Sequence, residues 1–290
     1  MLGLAALGLL PLRVVAWLAD IVTSVGRALL ANRAHVAIRN LELCFQELTP
    51  AARTAIFNEH ARILAHVYLS FGRLVSHPTT DLNRRFIVSG QAHLQQQIDA
   101  GRNIILLTPH TIAMEMAGHW LAENYDIATV VRVHEGNALL DWLVSRLRTR
   151  RALIFSHTTN LLPLIKAVRG GRHLFYLPDD DNGDAQAGAE NTLFVPLFGV
   201  PKATPASLGR LAKACAAAVI PTATGYDPDT RRYHLEFLPA LANFPSGDPL
   251  SDATSMNAAI EMLVRRDPRQ YMWSAKIFRT RPPGAAKRYK

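Results

Sequence analysis

Short runs of β-branched and aliphatic residues alternate along the chain with longer stretches of helical composition, and this alternation constrains the fold more than any other feature. Helices are expected at residues 33–45 and 50–74, the second with Thr49 as its N-cap. Strands are expected at residues 86–89, 103–108, 128–133, 174–177, 218–224 and 233–237. Strands that alternate with helices predict an α/β fold with a mixed, largely parallel sheet covered by helices on both faces.

The composition agrees with one folded domain. Hydrophobic residues make up 49% of the 290 residues and charged residues 19%, which excludes a disordered chain. No short repeat recurs, and no Pro-, Ser- or Gly-rich linker divides the sequence. Cys44 and Cys215 lack the CxxC spacing, so neither a disulfide framework nor a cysteine zinc site is expected.

The amino-terminal end is unusually apolar. Residues 2–30 carry only three charges, Arg13, Asp20 and Arg27, which are spaced seven apart. That spacing drifts by only about 20° per step around a helix, so the three charges share one stripe. Pro11 is suited to the first turn of this helix, and the remaining surface is apolar.

This apolar end is expected to form a membrane-associating helix over residues 1–30, followed by a single larger domain over residues 31–290. The longest uncharged run, residues 2–12, is short for a spanning helix. We therefore favour a helix that lies in the membrane interface or inserts at a tilt. A signal peptide is disfavoured because no basic segment precedes the apolar stretch, and a helix buried in the core remains open.

Positive charge is concentrated at the carboxyl-terminal end. The net charge is +9, and nine Lys or Arg residues lie between positions 265 and 290 against the single acid Asp267. Such a segment suits nucleic acid, anionic lipid head groups or an acidic protein, or it serves only as a solubilising tail. Interleaved aromatic residues suit either base stacking or a membrane interface. They are Tyr271, Trp273, Phe278 and Tyr289.

Common catalytic signatures are absent from the sequence. It contains no GxSxG, P-loop, GxGxxG or HExxH pattern. The acidic cluster at residues 179–184 resembles a calcium loop but fails the EF-hand spacing, since Asp184 occupies the position of the required glycine. No metal site is expected.

The segment at residues 101–116, GRNIILLTPHTIAMEM, carries the main candidate site. An apolar strand runs into Pro109 and His110, and Glu115 follows on a helical stretch. Within one helix, residues five apart lie about 140° apart and cannot meet, so pairing requires His110 to precede the helix. In parallel sheets, ligands bind at the carboxyl ends of the strands, and His110 follows such a strand end. A histidine steered by a carboxylate can deprotonate a hydroxyl for attack on an ester or thioester, although a histidine that only caps the core is the alternative.

The spacing from His110 to Glu115 resembles the HX4(D/E) motif of the lysophospholipid-type acyltransferases. More narrowly, residues 40–289 resemble the bacterial lipid A late acyltransferases, the lauroyl and myristoyl transferases. Six ordered segments carry this resemblance: NLELCF, GRNIILLTPHTIAME, YLPDDDNG, FVPLFGVPKAT, FPSGD, and PRQYMW followed by FRTRPPG.

This resemblance implies transfer of a fatty acyl group from acyl carrier protein, or from coenzyme A, to a hydroxyl of a lipid A precursor or related glycolipid. It implies a location at the cytoplasmic face of the inner membrane, contact with membrane lipids, no nucleic acid, and no cofactor beyond the acyl donor. His110 would be the base and Glu115 its orienting partner. Arg132 would bind an anionic part of the substrate, and Asp179 and Asp181 match the acids of the family's PDxD motif.

Three positions depart from the family pattern. Gln46 stands where the family usually has proline, Ala275 where it commonly has histidine, and Ile277 where it has a basic residue. A paralogue acting on another lipid acceptor therefore stays open. So do a thioester hydrolase that uses the same dyad on water, and a noncatalytic lipid- or nucleic-acid-binding module.

Overall fold

The computed structural model describes residues 2–29, 31–76, 79–131, 152–156, 161–181 and 192–289. The helices are α1 (Leu2–Leu9), α2 (Leu12–Leu29), α3 (Ala31–Cys44), α4 (Pro50–Ser70), α5 (Gly72–Ser76), α6 (Thr79–Arg85), α7 (Gln91–Asp99), α8 (Met114–Asn124), α9 (Leu162–Arg169), α10 (Ser207–Cys215) and α11 (Pro249–Arg266), with a 3-10 turn at Pro268–Gln270. The strands are β1 (Phe86–Ser89), β2 (Asn103–Leu107), β3 (Ile127–Val131), β4 (Ala152–Ser156), β5 (His173–Tyr176), β6 (Thr192–Leu197), β7 (Val200–Pro205), β8 (Ala217–Asp227) and β9 (Arg232–Phe237).

The main sheet has seven strands in the order β1-β9-β8-β2-β5-β3-β4. Every neighbouring pair is parallel except β8 and β9, which form an antiparallel ribbon. The predicted mixed, largely parallel sheet is therefore confirmed. A separate antiparallel hairpin, β6 and β7, was not expected, because Pro196, Pro201 and Pro205 disfavour a strand. A two-stranded hairpin tolerates them because each strand has a free edge.

Strand β2 lies in the middle of this sheet and shows why helices cover both faces. Alternate side chains of a strand point to opposite faces. Ile104 and Leu106 pack into one buried cluster, with residues of α4 and α8, and Ile105 and Leu107 pack into the other, with residues of α9, α10 and α11. All four side chains are fully buried. The predicted two-sided coverage is confirmed.

The helices before the sheet follow the expected pattern with two differences. Thr49 caps α4, and its hydroxyl accepts a hydrogen bond from the Ala52 amide at 3.2 Å, as predicted. The single helix expected over residues 50–74 instead breaks at Phe71. The amino-terminal helix likewise divides, because Pro11 begins α2 and leaves α1 before it.

Helix α2 packs on α4 with one face. Val15, Ala19 and Thr23 are buried there. On α4, the Arg62 Nε and the His66 Nε2 each lie 3.0 Å from the Asp20 Oδ1. This part of the charged stripe therefore faces the protein body.

The opposite face of α2 exposes apolar side chains to solvent. Val14, Trp17, Ile21 and Val22 are all exposed, and Trp17 retains 62% of its surface. Among the described residues, none of the helices has both the length and the apolar character needed to span a bilayer. The expectation of a separate membrane-anchoring helix is therefore not supported by the fold alone. The division at residue 30 stays a prediction.

The carboxyl-terminal segment contributes to the core instead of forming a loose tail. Tyr271, Trp273 and Phe278 are fully buried, so the suggestion that their rings serve base stacking or a membrane interface is wrong. Three of the arginines are paired with acids. They are Arg265 with Glu47 and Glu261, Arg266 with Glu236, and Arg269 with Asp267.

Candidate active site

His110 lies in the connection between β2 and α8, ahead of the helix, as its pairing with a carboxylate requires. The carboxyl-terminal segment holds this connection from one side. The His110 carbonyl accepts a hydrogen bond from the Met272 amide at 2.9 Å, and the Ile112 amide donates to the Gln270 carbonyl at 2.8 Å. These backbone bonds fix the loop independently of the imidazole.

Asp179 holds His110 from the other side. Its Oδ1 lies 2.7 Å from the imidazole Nδ1, and its Oδ2 accepts the backbone amide of His110 at 2.9 Å. The sheet explains this meeting, because β5 lies beside β2 and Leu107 is paired with Tyr176. Continuing the same register by three residues brings His110 opposite Asp179. The two residues therefore meet at the carboxyl edges of adjacent parallel strands.

The charge of Asp179 determines how the imidazole titrates. Burial by itself would lower the pKa of His110, but the charge of Asp179 and its hydrogen bond outweigh burial, so that pKa is raised above 6.5. Burial would raise the pKa of Asp179, yet the charge and the hydrogen bonds of His110 lower it. A neutral His110 then carries its proton on Nδ1, where Asp179 accepts it.

The other ring nitrogen is available to a substrate. No described residue forms a hydrogen bond with the His110 Nε2, and the side chain keeps 28% of its surface exposed, against 1% for Asp179. In the tautomer that Asp179 selects, Nε2 carries the lone pair. The arrangement can thus accept a proton from a hydroxyl or from water.

Glu115 lies on the helix after His110, as predicted, but a different carboxylate contacts the Nδ1 of the ring. It lies in the first turn of α8, and its charge contributes to raising the pKa of His110. The carboxylate on Nδ1 is that of Asp179, so the assignment of Glu115 as the residue that orients the ring is corrected. The reason is geometric: strand register brings Asp179 directly to the ring.

The acids expected to bind substrate are engaged by the protein itself. Asp181 accepts two hydrogen bonds from Thr280, from its amide at 2.7 Å and from its hydroxyl at 2.8 Å. Asp181 thereby fastens the carboxyl-terminal segment beside the site. Both acids thus contact the protein itself, and their role in binding substrate stays a prediction. Arg132 lies outside the described residues.

Lys202 is a buried cation near these acids that the sequence did not single out. It lies on β7, is fully buried, and its ammonium donates to the Ala203 carbonyl at 3.0 Å. Burial lowers the pKa of Lys202, and the charges of Asp179 and Asp181 oppose that shift. Lys202 is a second positive group in the field of the two buried carboxylates. A lone lysine in a hairpin has no sequence signal for such a role.

Two other buried histidines do not match this geometry. His66 also contacts a carboxylate, Asp20, but its side chain is only 1% exposed, and Arg62 shares the same carboxylate. His60 is buried against the Arg269 carbonyl, and burial lowers its pKa to about 4. Of these three histidines, only His110 combines a carboxylate partner with an exposed nitrogen.

A cavity of about 340 Å³ lies against the His110 connection. Pro109 and Thr111 form part of its wall, and Asp227 and Arg269 are among its charged lining residues. Within the part of the chain that the structure describes, no group of His, Cys, Asp and Glu residues could hold a metal ion.

Comparison with known proteins identifies the family. The family model described as bacterial lipid A biosynthesis acyltransferase matches residues 1–280. The chain belongs to this acyltransferase family. It is therefore a transferase, as the motifs had predicted.

Individual members of the lipid A acyltransferase family are similar over most of the chain. A lipid A biosynthesis acyltransferase of Haemophilus influenzae is 33% identical over 247 residues, which cover 84% of this chain and 75% of that protein. The lipid A biosynthesis lauroyltransferase of Escherichia coli is 30% identical over 261 residues, with 89% and 83% covered. The palmitoleoyltransferase of the same organism is 27% identical over 281 residues, with 97% and 90% covered. The two relatives from Escherichia coli are named for different acyl chains.

Proposed function

We propose that this acyltransferase moves a fatty acyl group from a thioester donor to a hydroxyl of a lipid A-type glycolipid. The observation that carries the proposal is the His110 imidazole, oriented by Asp179 and open at Nε2, in a member of the lipid A acyltransferase family. The acceptor class comes from the names of the relatives.

The chemistry follows from the tautomer. The Nε2 of His110 accepts the proton of the acceptor hydroxyl while the oxygen attacks the thioester carbonyl. The new C–O bond forms, the tetrahedral intermediate collapses and the C–S bond breaks. The imidazolium, stabilised by the Asp179 carboxylate, returns the proton to the thiolate that leaves. No covalent acyl-enzyme is required, so both substrates bind together.

The donor is proposed to be acyl carrier protein or acyl coenzyme A. Both present the acyl group as a thioester, and both are anionic, which suits the positive carboxyl-terminal segment.

Two of the positions that depart from the family pattern lie within the folded body. Ile277 is buried, and the Ala275 carbonyl accepts a hydrogen bond from Asn40. These departures therefore fall in packed structure.

Association with the cytoplasmic face of the inner membrane is proposed from the outer face of α2. Four exposed apolar side chains on one short helix present an amphipathic surface of the kind that lies in a membrane interface. Tryptophan is favoured at that depth. The ion pairs of Asp20 hold the opposite face of α2 on the protein body.

The chemical proposal is tested with purified protein, each acyl donor and a lipid A precursor. We expect the acceptor to gain the mass of one acyl unit, which mass spectrometry detects. The reaction without acceptor is the control, since an acyltransferase should then release little free fatty acid. Rapid fatty acid release with no acylated glycolipid would instead support the thioester hydrolase, and acylation of a different lipid would support the paralogue.

The membrane proposal predicts that Trp17→Glu weakens binding to phospholipid vesicles about tenfold or more, because a charge replaces an anchoring ring. Leu250→Glu is the matched control, since Leu250 is 53% exposed on α11, away from α2. Vesicle flotation measures both variants. Equal binding of Trp17→Glu, Leu250→Glu and the unmodified protein would contradict this proposal.

A further inference from the structure

The segment after Phe278 closes on itself and brings two arginines to the flanks of one turn. The Ala285 amide donates to the Pro282 carbonyl at 3.1 Å, and Gly284 adopts a positive φ of 78°. The ends of the loop are joined as well, since the Phe278 amide donates to the Tyr289 hydroxyl at 3.0 Å. Arg281 precedes the turn and Arg288 follows it.

Both guanidinium groups have a buried donor without an acceptor. The Nε atoms of Arg281 and Arg288 are shielded from solvent and form no hydrogen bond with any part of the chain that the structure describes. A buried N–H group without a partner is unfavourable. Two such donors on neighbouring arginines favour an anion as their common partner.

The positive charges of Arg281 and Arg288 also repel each other. Burial is the first cause that lowers the pKa of Arg281, and repulsion by Arg288 is the second. Neither guanidinium forms an ion pair with an acid of the described residues, whereas Arg265, Arg266 and Arg269 do. An anion between the two groups would relieve this repulsion and satisfy both donors.

The fold holds this pair close to the candidate active site. Thr280, the residue before Arg281, donates two hydrogen bonds to Asp181. The Nη1 of Arg281 donates to the Pro201 carbonyl at 3.2 Å, next to the buried Lys202. Asp181 is two residues from Asp179, so Thr280 joins the arginine pair to the segment that holds His110.

We propose that Arg281 and Arg288 form a binding site for a phosphate group of a substrate. Guanidinium groups bind phosphate through charge-assisted, often bidentate hydrogen bonds, which suits two neighbouring guanidinium groups that have no acid partner among the described residues. Only the assignment to a substrate rests on the proposed function. The phosphate belongs either to the glycolipid acceptor or to the donor, since the pantetheine arm of the carrier and coenzyme A both contain phosphate.

Binding is tested first with inorganic phosphate and no turnover. The unfolding midpoint of the full chain is measured in phosphate and in sodium chloride of equal ionic strength. Unmodified protein is expected to unfold a few degrees higher in phosphate, because a ligand that binds only the folded state stabilises it. Arg281→Gln and Arg288→Gln should lose that shift. Lys287→Gln, which removes one exposed charge from the same turn, should keep it.

The same variants separate a ligand site from a purely structural role. In the chloride buffer, Arg288→Gln should unfold at or above the midpoint of the unmodified protein, since one of two repelling charges is gone. A lower midpoint in chloride together with an unchanged phosphate shift would overturn the site. Because this comparison needs no acyl transfer, its outcome is independent of whether the proposed reaction is correct.

Steady-state kinetics then identify the source of the phosphate. Loss of a charge-assisted contact is expected to raise the KM of the phosphate-bearing substrate about tenfold, with a small change in kcat. A rise for the acceptor that disappears with a dephosphorylated acceptor assigns the site to the glycolipid. A rise for the thioester assigns it to the donor. Unchanged KM values for both substrates would overturn the substrate assignment.

Discussion

Replacing His110 with alanine is expected to lower kcat for acyl transfer by about a thousandfold or more, because the imidazole is the proposed base for the acceptor hydroxyl. The fold should persist. The hydrogen bonds that hold the loop use the His110 amide and carbonyl, which alanine retains. In this variant Asp179 still accepts the hydrogen bond from the backbone amide of residue 110.

Acylation of the glycolipid, followed by mass spectrometry, measures this effect, and thermal unfolding checks the fold. His93→Ala is the matched control, since His93 lies on α7 and takes no part in the site. That variant should turn over normally. Near-normal turnover by the His110 variant would refute the role assigned to it, whatever the acceptor.

Replacing Asp179 with asparagine is expected to lower the rate about a hundredfold and to move the acid limb of the pH–rate profile to lower pH. The base must be neutral, so activity is lost as pH falls through the pKa of His110. Asp179 raises that pKa above 6.5. Without the carboxylate charge the pKa falls, and the remaining activity should persist to lower pH. The rate falls because an amide neither fixes the Nδ1 tautomer as firmly nor stabilises the imidazolium.

Glu115→Gln gives the comparison that decides between the two carboxylates. The charge of Glu115 acts on His110 more weakly than that of Asp179, so the acid limb should move in the same direction by a smaller amount. Asp181→Asn controls for loss of a nearby acid, since Asp181 contacts Thr280 and not the ring. A larger shift in Glu115→Gln than in Asp179→Asn would restore the dyad predicted from the sequence.

The fold was largely predictable because its central strands are short apolar runs. Residues 103–108 predicted β2 nearly to the residue, since a strand buried on both faces is apolar at every position. Strand β4 was missed because its sequence, ALIFS, is only five residues long. Such a short apolar run shows no hydrophobic periodicity that would distinguish a strand from part of a helix. The β6 and β7 hairpin was missed because its prolines oppose the pattern of a strand.

The site was predictable only in part, and strand order is the reason. His110 could be found because one segment contains a strand, a proline and a following helix. Asp179 was singled out through the resemblance, but its pairing with His110 could not be found, because β5 follows β3 and β4 along the chain yet lies beside β2 in the sheet. Sequence spacing favoured Glu115, five residues away, over Asp179, which is 69 residues away. A correct strand order would have made Asp179 the first candidate.

The bracing of the site by residues 270–280 affects when the enzyme can become active during its own synthesis. The loop of His110 is held by Gln270 and Met272, and Asp181 is held by Thr280. While these residues are still inside the ribosome, His110 and Asp179 have already been synthesised. They then lack the hydrogen bonds that hold their loops in place. The candidate site can therefore be complete only after residues 270–280 have left the ribosome, which is later than the last strand of the sheet.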